Sequence, residues 1–458
     1  MKLTRTAVIF GLGVCLGLMV CASDGYALPA KYDLRDYGRI SPVKNQGLPG
    51  PCWAFAALGA MESNYLTQSL HTQTLHTGGK TSRTSTQTLS TNAKIPDLSE
   101  MQLAFYTYKD PDKKRCFTPL YSSGTLSLEG SAFRAAAFLL RLSGPTEEKS
   151  LRYNTQLPDS EKKALAKKSP ESFRRVMRLR DVYFLAGDQT LNDTAKKELI
   201  MQHGAIYISM YSDPMNYRNI NGHYTYYNPE HGKDTDHDVL LAGWDDDFPA
   251  GNFSPRPSRN GAWLVKNSWG TMRGSEGGYF WMSYDQHTWG GTAFVVERAN
   301  QRMRHYGYDD LGFCTSVKYS WGANIFRTRT RRENLREAAF YAPGNNLGYE
   351  VYVYDLGYKI PESPVAGTLV SHTKGSVKFA GYYTVNLPEA VSLKEGQYFS
   401  VVVKFSGGYM PVECKVARYS ENAEVNERES WFSRDGRSWL DGVSIKSNAC
   451  IKAYTLVK

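Results

Sequence analysis

Residues 42–61 restrict what this chain can fold into more than any other stretch. Pro42, Gly47, Pro49, Gly50 and Pro51 punctuate the first half, and such a run continues neither a helix nor a ladder strand. Residues 53–61 then carry no polar side chain. A helix of that composition has no face to offer water, so it belongs in a core and other elements must surround it. Cys52 falls at its first turn, where unpaired backbone N–H groups and the helix dipole favour negative charge. A thiolate is stabilised in such a place, which makes Cys52 a candidate nucleophile. The competing reading is a packed free thiol. Against it stands Gln46, six residues upstream on the same loop and placed to offer a side-chain amide donor near the sulfur.

Partners for a nucleophile lie far along the chain. Residues 234–244 read as a strand with His237 near its start. Residues 262–270 read as a second strand ending in a turn at Asn267-Ser268-Trp269-Gly270, and Gly277-Gly278-Tyr279 opens a third. Alone, a histidine in a strand is usually a satisfied structural residue. Taken in order, Gln46-Gly47, Cys52-Trp53-Ala54-Phe55, His237 and Asn267-Ser268-Trp269-Gly270 resemble the catalytic segments of papain-like cysteine peptidases. The resemblance covers residues 28–298 and implies an α+β fold of two lobes, the first helical and the second β-barrel-like. The interval from Cys52 to His237 exceeds the roughly 130–150 residues usual in such enzymes. A Thr/Ser-rich insertion at 67–97 and a basic stretch at 161–180 account for the excess.

The resemblance also implies a mechanism. His237 would take the thiol proton, giving a thiolate–imidazolium pair, and later protonate the leaving amine. Asn267 would bond the other imidazole nitrogen and fix the ring, and Trp269 would shield that bond from water. Gln46 and the Cys52 backbone N–H would receive the oxyanion, a role worth about 3 kcal/mol per donor. Gly130, in the glycine-containing strip before a helix at 135–142, would pair with substrate backbone. Asp236 and Asp238 flank His237, and the position after the histidine lines a side-chain pocket in the family. A carboxylate at Asp238 would favour Lys or Arg there, whereas strand alternation would turn it away from His237. Negative charge beside His237 would favour its imidazolium form.

The remaining segments set the context. Residues 1–27 carry Lys2 and Arg5, then an apolar run, then small residues, the pattern of a cleaved secretory signal. Cleavage after Ala27 leaves no room for an inhibitory propeptide, so restraint would come from elsewhere. Removing Lys2, Arg5 and Asp24 with the signal takes the formal charge from +10 to +9. That excess is mild, and no basic stripe alternates with stacking aromatics, so nucleic acid is not an expected partner. No later segment is apolar enough for a membrane span. The 67–97 segment is poor in large apolar residues and reads as a flexible surface loop whose His71 and His76 are solvated. Ser99 followed by Gln102 reads as a capped helix start. Residues 161–180 read as a solvated basic helical face, residues 193–202 as a helix and 204–210 as the start of a strand-rich region.

Beyond a polar linker at 299–304 the pattern becomes all-β. Phe399, Val401, Val403 and Phe405 alternate with Tyr398, Ser400, Val402 and Lys404, and similar runs recur between Gly/Pro/Asn turns. Residues 305–458 therefore read as a β-sandwich, and the run resembles the lectin-like domain that accompanies some bacterial papain-like peptidases. Trp431 and Trp439 are candidates for stacking on sugar, with a buried-core role as the alternative. Of seven cysteines, Cys15 and Cys21 leave with the signal. Strand placement and export suggest a Cys414–Cys450 disulfide. No CxxC pair or Cys/His cluster has zinc spacing, so no metal and no cofactor are expected.

Two function classes compete. One is a secreted cysteine endopeptidase acting on proteins or peptides, its β domain free to hold a glycan or a cell-surface ligand. The other is a surface binding module on an inactive peptidase scaffold. The joint presence of Gln46, Cys52, His237 and Asn267 favours the enzyme, because a scaffold needs none of them. The Asn267-Ser268-Trp269-Gly270 turn and Gln46 disfavour a transglutaminase.

Overall fold

A computed structural model of the chain describes residues 28–47, 50–76, 96–107, 130–185, 193–230, 232–271, 276–417 and 419–458. The proposed signal segment and Cys116 lie outside them. The apolar run opens a 25-residue helix, Cys52–His76, in which Trp53, Ala54, Ala57, Leu58, Ala60 and Met61 are fully buried. Further along, Glu62, Ser63, Asn64 and Thr67 are polar yet buried. Ser63 donates to the Arg39 carbonyl at 2.5 Å and accepts from the Ala205 N–H at 2.8 Å, and Asn64 accepts from the Val296 N–H at 2.9 Å. These bonds tie the helix to the strands behind it.

That extension corrects the reading of 67–97 as one surface loop. Thr67 is fully buried and the helix runs on to His76, because adding residues to a nucleated helix costs little even for Thr and Gln. Residues 77–95, and the side chains of His71 and His76, lie outside the described residues.

Shorter helices pack on this axis. Glu100–Tyr106 is capped by Ser99, whose side chain accepts from the Gln102 N–H, as its sequence suggests. Ala132–Leu140 starts three residues before the position read from sequence, because Ser131 caps it. The 161–180 reading is also corrected. Its helix, Asp159–Ala166, ends well before Pro170, and Met177–Phe184 is a strand in which Arg178 is only 1% exposed. Proline cannot continue a helix, and Met177, Leu179, Val182 and Phe184 supply the apolar surface that draws the segment into a sheet. Asp193–His203 and Ile206–Met210 are the helix and strand expected there.

A sheet of 13 strands runs through the molecule. On one side Thr288–Arg298, Ile206–Met210, His237–Asp245, Ala262–Lys266 and Tyr279–Ser283 follow one another. On the other lie Ala380–Lys394, Arg332–Ala342, Ile451–Val457 and Met303–Tyr306, so Met303 and Arg304 of the expected linker already belong to a strand. Met177–Phe184 joins the halves, pairing with Thr288–Arg298 on one edge and with Ala380, Gly381 and Tyr382 on the other.

The C-terminal region is the expected sandwich. A six-stranded sheet centred on Tyr398–Phe405 and Trp321–Arg327 faces the larger sheet. Phe399, Val401, Val403 and Phe405 meet Phe340 and Ile451 in the core between them, whereas Val402 packs on the outer face with Ala323, Ile325 and Trp431. Trp439 is partly buried against that outer cluster, so both tryptophans serve packing. The Cys414–Cys450 disulfide is absent: both thiols are free. Cys414 pairs in register with Ser447, and the Cys450 N–H bonds Pro411, three residues from Cys414. An odd offset puts the two side chains on opposite faces. No helix among the described residues is long and apolar enough to cross a membrane.

Candidate active site

The Cys52–His76 helix starts against the strand that begins at His237, and the two ends form one wall-and-floor arrangement. Cys52, Gly130, Phe133, Phe184, Asp236, His237 and Asp238 line a cleft of about 670 Å³. Sequence order separates these residues by up to 186 positions; the antiparallel pairing of Ile206–Met210, His237–Asp245 and Ala262–Lys266 brings them together.

His237 Nε2 lies 2.9 Å from Asn267 Oδ1, and both side chains are buried. An amide oxygen only accepts, so the imidazole proton sits on Nε2 and Nδ1 is left as the acceptor. The Trp269 ring stacks on the imidazole at 4.7 Å and 21°, covering that bond. Asn267 Oδ1 also accepts from the Ser268 N–H at 2.8 Å, which fixes its orientation.

Gln46 is tied to the same turn. Its backbone N–H donates to the Ser268 carbonyl at 2.8 Å, and its side-chain oxygen accepts from Ser268 Oγ at 2.5 Å. Tyr153 donates to its carbonyl at 2.7 Å. Gln46 Nε2 and the Cys52 N–H, the two expected oxyanion donors, both point at the Gly50 carbonyl, at 3.2 and 3.0 Å. Gly130 borders the cleft against Trp53, whose ring lies 2.2 Å from where a Cβ would sit, so only glycine fits.

Asp238 faces the sulfur, not the imidazole. Its Oδ2 lies 3.8 Å from Cys52 Sγ, and its Oδ1 accepts from Ser209 Oγ at 2.5 Å. Strand alternation therefore separates it from His237 but not from the cleft. Burial pushes the Asp238 carboxyl up to about 6, against hydrogen bonds from Ser209, Tyr207 and Cys52 that favour its ionised form. Burial and the Asp238 charge push the Cys52 thiol up to about 12. Burial lowers His237, opposed by its Asn267 bond and by Asp236. The expected support of the imidazolium thus comes from Asp236, whereas Asp238 works against the thiolate. Each shift penalises one charge formed alone; proton transfer from Cys52 to His237 forms both charges together, so each stabilises the other.

Behind the site a charged cluster braces the loop. Lys44 Nζ bonds Glu100 at 2.8 Å and the Leu98 carbonyl at 2.9 Å, with Glu62 at 3.4 Å. Lys266 Nζ donates to Ser41 Oγ at 3.0 Å, and burial holds it down to about 8. Sequence reasoning missed these lysines, although a lysine closing the apolar run Ala262–Lys266 was a usable signal. It also missed Tyr207, Ser209, Phe133 and Phe184, which carry no motif. Among the described residues no group of three His, Cys, Asp or Glu side chains is arranged to hold a metal ion.

Known proteins match both halves. The Papain family cysteine protease profile covers residues 28–82 and 123–298, half of the chain. The Lectin like domain profile covers residues 305–455. A cysteine protease of Blomia tropicalis is 28% identical over 282 residues, 59% of this chain and 66% of that protein. The chain spans little more than half the length of the next curated relatives. Among solved structures, the clostridial cysteine protease Cwp84 after propeptide cleavage superposes with a TM-score of 0.75 at 22% identity, covering 93% of this chain and 99% of that one. The protease and lectin-like domains of Cwp84, a surface layer associated protein of Clostridium difficile, give 0.74 at 22% identity, covering 94% and 90%. At that identity the likeness is one of fold: a papain-like domain followed by an all-β lectin-like domain.

Proposed function

Since this chain belongs to the papain family of cysteine proteases, we propose that it is an exported endopeptidase that cleaves proteins or peptides through Cys52, His237 and Asn267. The observation that carries the reading is the 2.9 Å His237–Asn267 bond beneath Trp269, with His237 lining the same cleft as Cys52. Cys52 gives its proton to His237 and attacks the scissile carbonyl carbon. The carbonyl oxygen becomes an oxyanion and displaces the Gly50 carbonyl from Gln46 Nε2 and the Cys52 N–H. His237 then protonates the leaving amine, and water attack on the thioester regenerates the thiol. Gly130 pairs with substrate backbone, while Asp238 accepts a Lys or Arg side chain reaching past Ser209.

The peptidase is assigned to residues 28–298 and the lectin-like domain to 305–458, the latter holding a glycan or a cell-surface ligand. Export rests on the basic-then-apolar pattern of residues 1–27, and a cell-surface location is supported by the surface-layer association of Cwp84. The test is Cys52→Ala in the full-length protein, assayed on an unstructured protein and on short peptides. Hydrolysis should vanish while the thermal transition stays within about 2 °C, since a buried Cys-to-Ala change removes little volume. Retained hydrolysis ends the proposal.

A further inference from the structure

The aromatic residues of the cleft lining are backed by the C-terminal domain. Phe133 and Phe184 both line the cleft and stack on each other at 4.4 Å and 18°. On the side away from the cleft, Phe133 meets Phe313 at 6.4 Å, and Phe184 meets Tyr341 at 6.5 Å in nearly parallel planes. Phe313 and Tyr341 stack on each other at 5.9 Å and 25°, closing a ring of four aromatics, two from each domain. Tyr341 is only 2% exposed and belongs to the peptidase core cluster, although it lies on a strand of the β-sandwich.

The backbone repeats the arrangement. Phe184 ends the strand Met177–Phe184 and pairs in register with Ala380 of the C-terminal domain. Leu185, the next residue, donates its N–H to the Gly291 carbonyl at 2.7 Å, and both also line the cleft. Gly312, beside Phe313, sits in a left-handed turn at φ +80°, and a Cβ there would lie 3.0 Å from Ala137 Cβ on the helix that carries Phe133.

We infer that the C-terminal domain braces the substrate cleft, with Phe313 and Tyr341 as positioning residues that hold Phe133 and Phe184 against a bulky apolar side chain of the substrate. The inference rests on the peptidase reading and adds a role for the second domain: it fixes the shape of the aromatic wall, a part of the cleft distinct from Asp238 and Ser209. Phe133 and Phe184 stack on each other, so bracing either ring from behind holds both as one immobile wall. A side chain binding there loses little to rearrangement of the wall. Without Phe313 or Tyr341, both cleft rings gain rotamers and the wall loses its shape.

The test uses the full-length protein, its Phe313→Leu, Tyr341→Leu and Tyr341→Phe variants, and two peptide sets that carry either Phe or Ala on the acyl side. Steady-state kinetics are paired with the rate at which iodoacetamide, too small to need the wall, alkylates Cys52, and with protection of Cys52 by each peptide. The two Leu variants should raise KM for the Phe peptides about tenfold with kcat and the Ala peptides changed less than about twofold. Protection by the Phe peptides should weaken equally, alkylation without peptide should match wild type, and Tyr341→Phe should restore the wild-type preference. Phe313 is only half-buried, so Phe313→Leu keeps the test available if Tyr341→Leu does not fold. Variants that alkylate as wild type and keep its Phe-to-Ala ratio overturn the inference. A wild type that alkylates but hydrolyses neither set overturns the peptidase reading instead, and protection then decides the wall.

Discussion

The catalytic cleft and the seam between the two domains are both buried and both charged, yet they treat charge in opposite ways. At the seam, Arg178 is 1% exposed and surrounded by acceptors. Its guanidinium forms ion pairs with Glu297 of the peptidase half at 2.6 Å and with Glu337 of the β domain at 2.7 Å. Burial works against the Arg178 charge, and Glu337 and Glu297 more than restore it. Arg180 adds Glu337 at 2.9 Å and the Thr384 carbonyl at 3.1 Å. In the cleft, by contrast, Cys52, His237 and Asp238 are each moved toward the neutral form, chiefly by burial. Charge that is matched on every side holds the fold together. Charge that is unmatched until substrate arrives is available for chemistry, and one molecule keeps the two apart.

The sharpest way to break this contrast is to remove a partner at each site. Arg178→Ala should cost about 3 kcal/mol in chemical denaturation of the full-length protein, because buried Glu337 loses one of its two guanidinium partners and keeps only Arg180. A loss below about 1 kcal/mol would mean that the seam charges are solvated and the comparison is wrong. In the cleft, Gln46→Ala should lower kcat by about 10²–10³ with a smaller change in KM and little change in stability. A normal kcat would remove Gln46 from the oxyanion site.

Asp238 gives the smallest effect and a pH signature. Its folded carboxyl binds a proton more tightly than an unfolded aspartate, so its ionisation opposes folding. Stability should fall as pH rises from about 4 to 6 and be unaffected by this group above that. Asp238→Asn should flatten that slope. It should also speed iodoacetamide alkylation of Cys52 at neutral pH by about tenfold, the equivalent of one pKa unit on the thiol. An unchanged alkylation profile would show that Asp238 does not oppose the thiolate.

Local pattern carried most of the site and little of the seam. The unbroken apolar run after Cys52 could only be a buried helix, and His237 opens and Asn267 follows short, nearly continuous apolar runs that read as strands. Those signals are short-range, so they survive in the sequence. Arg178 sits among Arg174, Arg175, Met177 and Arg180 and reads as a solvated basic face; its burial follows only from Glu297 and Glu337, more than a hundred residues away. Phe133 and Phe184 are ordinary apolar residues until the fold sets them side by side. The Cys414–Cys450 pairing failed for a related reason. Sequence suggests that both lie on strands, but a three-residue offset in register decides which face each thiol takes.

The most direct measurement is reaction of the full-length protein with a peptidyl epoxide, followed by peptide mapping and assay of residual hydrolysis. One equivalent should attach to Cys52, hydrolysis should fall in proportion to labelling, and the free thiols of Cys314, Cys414 and Cys450 should stay unmodified. Label spread over Cys314 or Cys414, or hydrolysis that survives complete modification of Cys52, would contradict a nucleophile built on Cys52, His237 and Asn267.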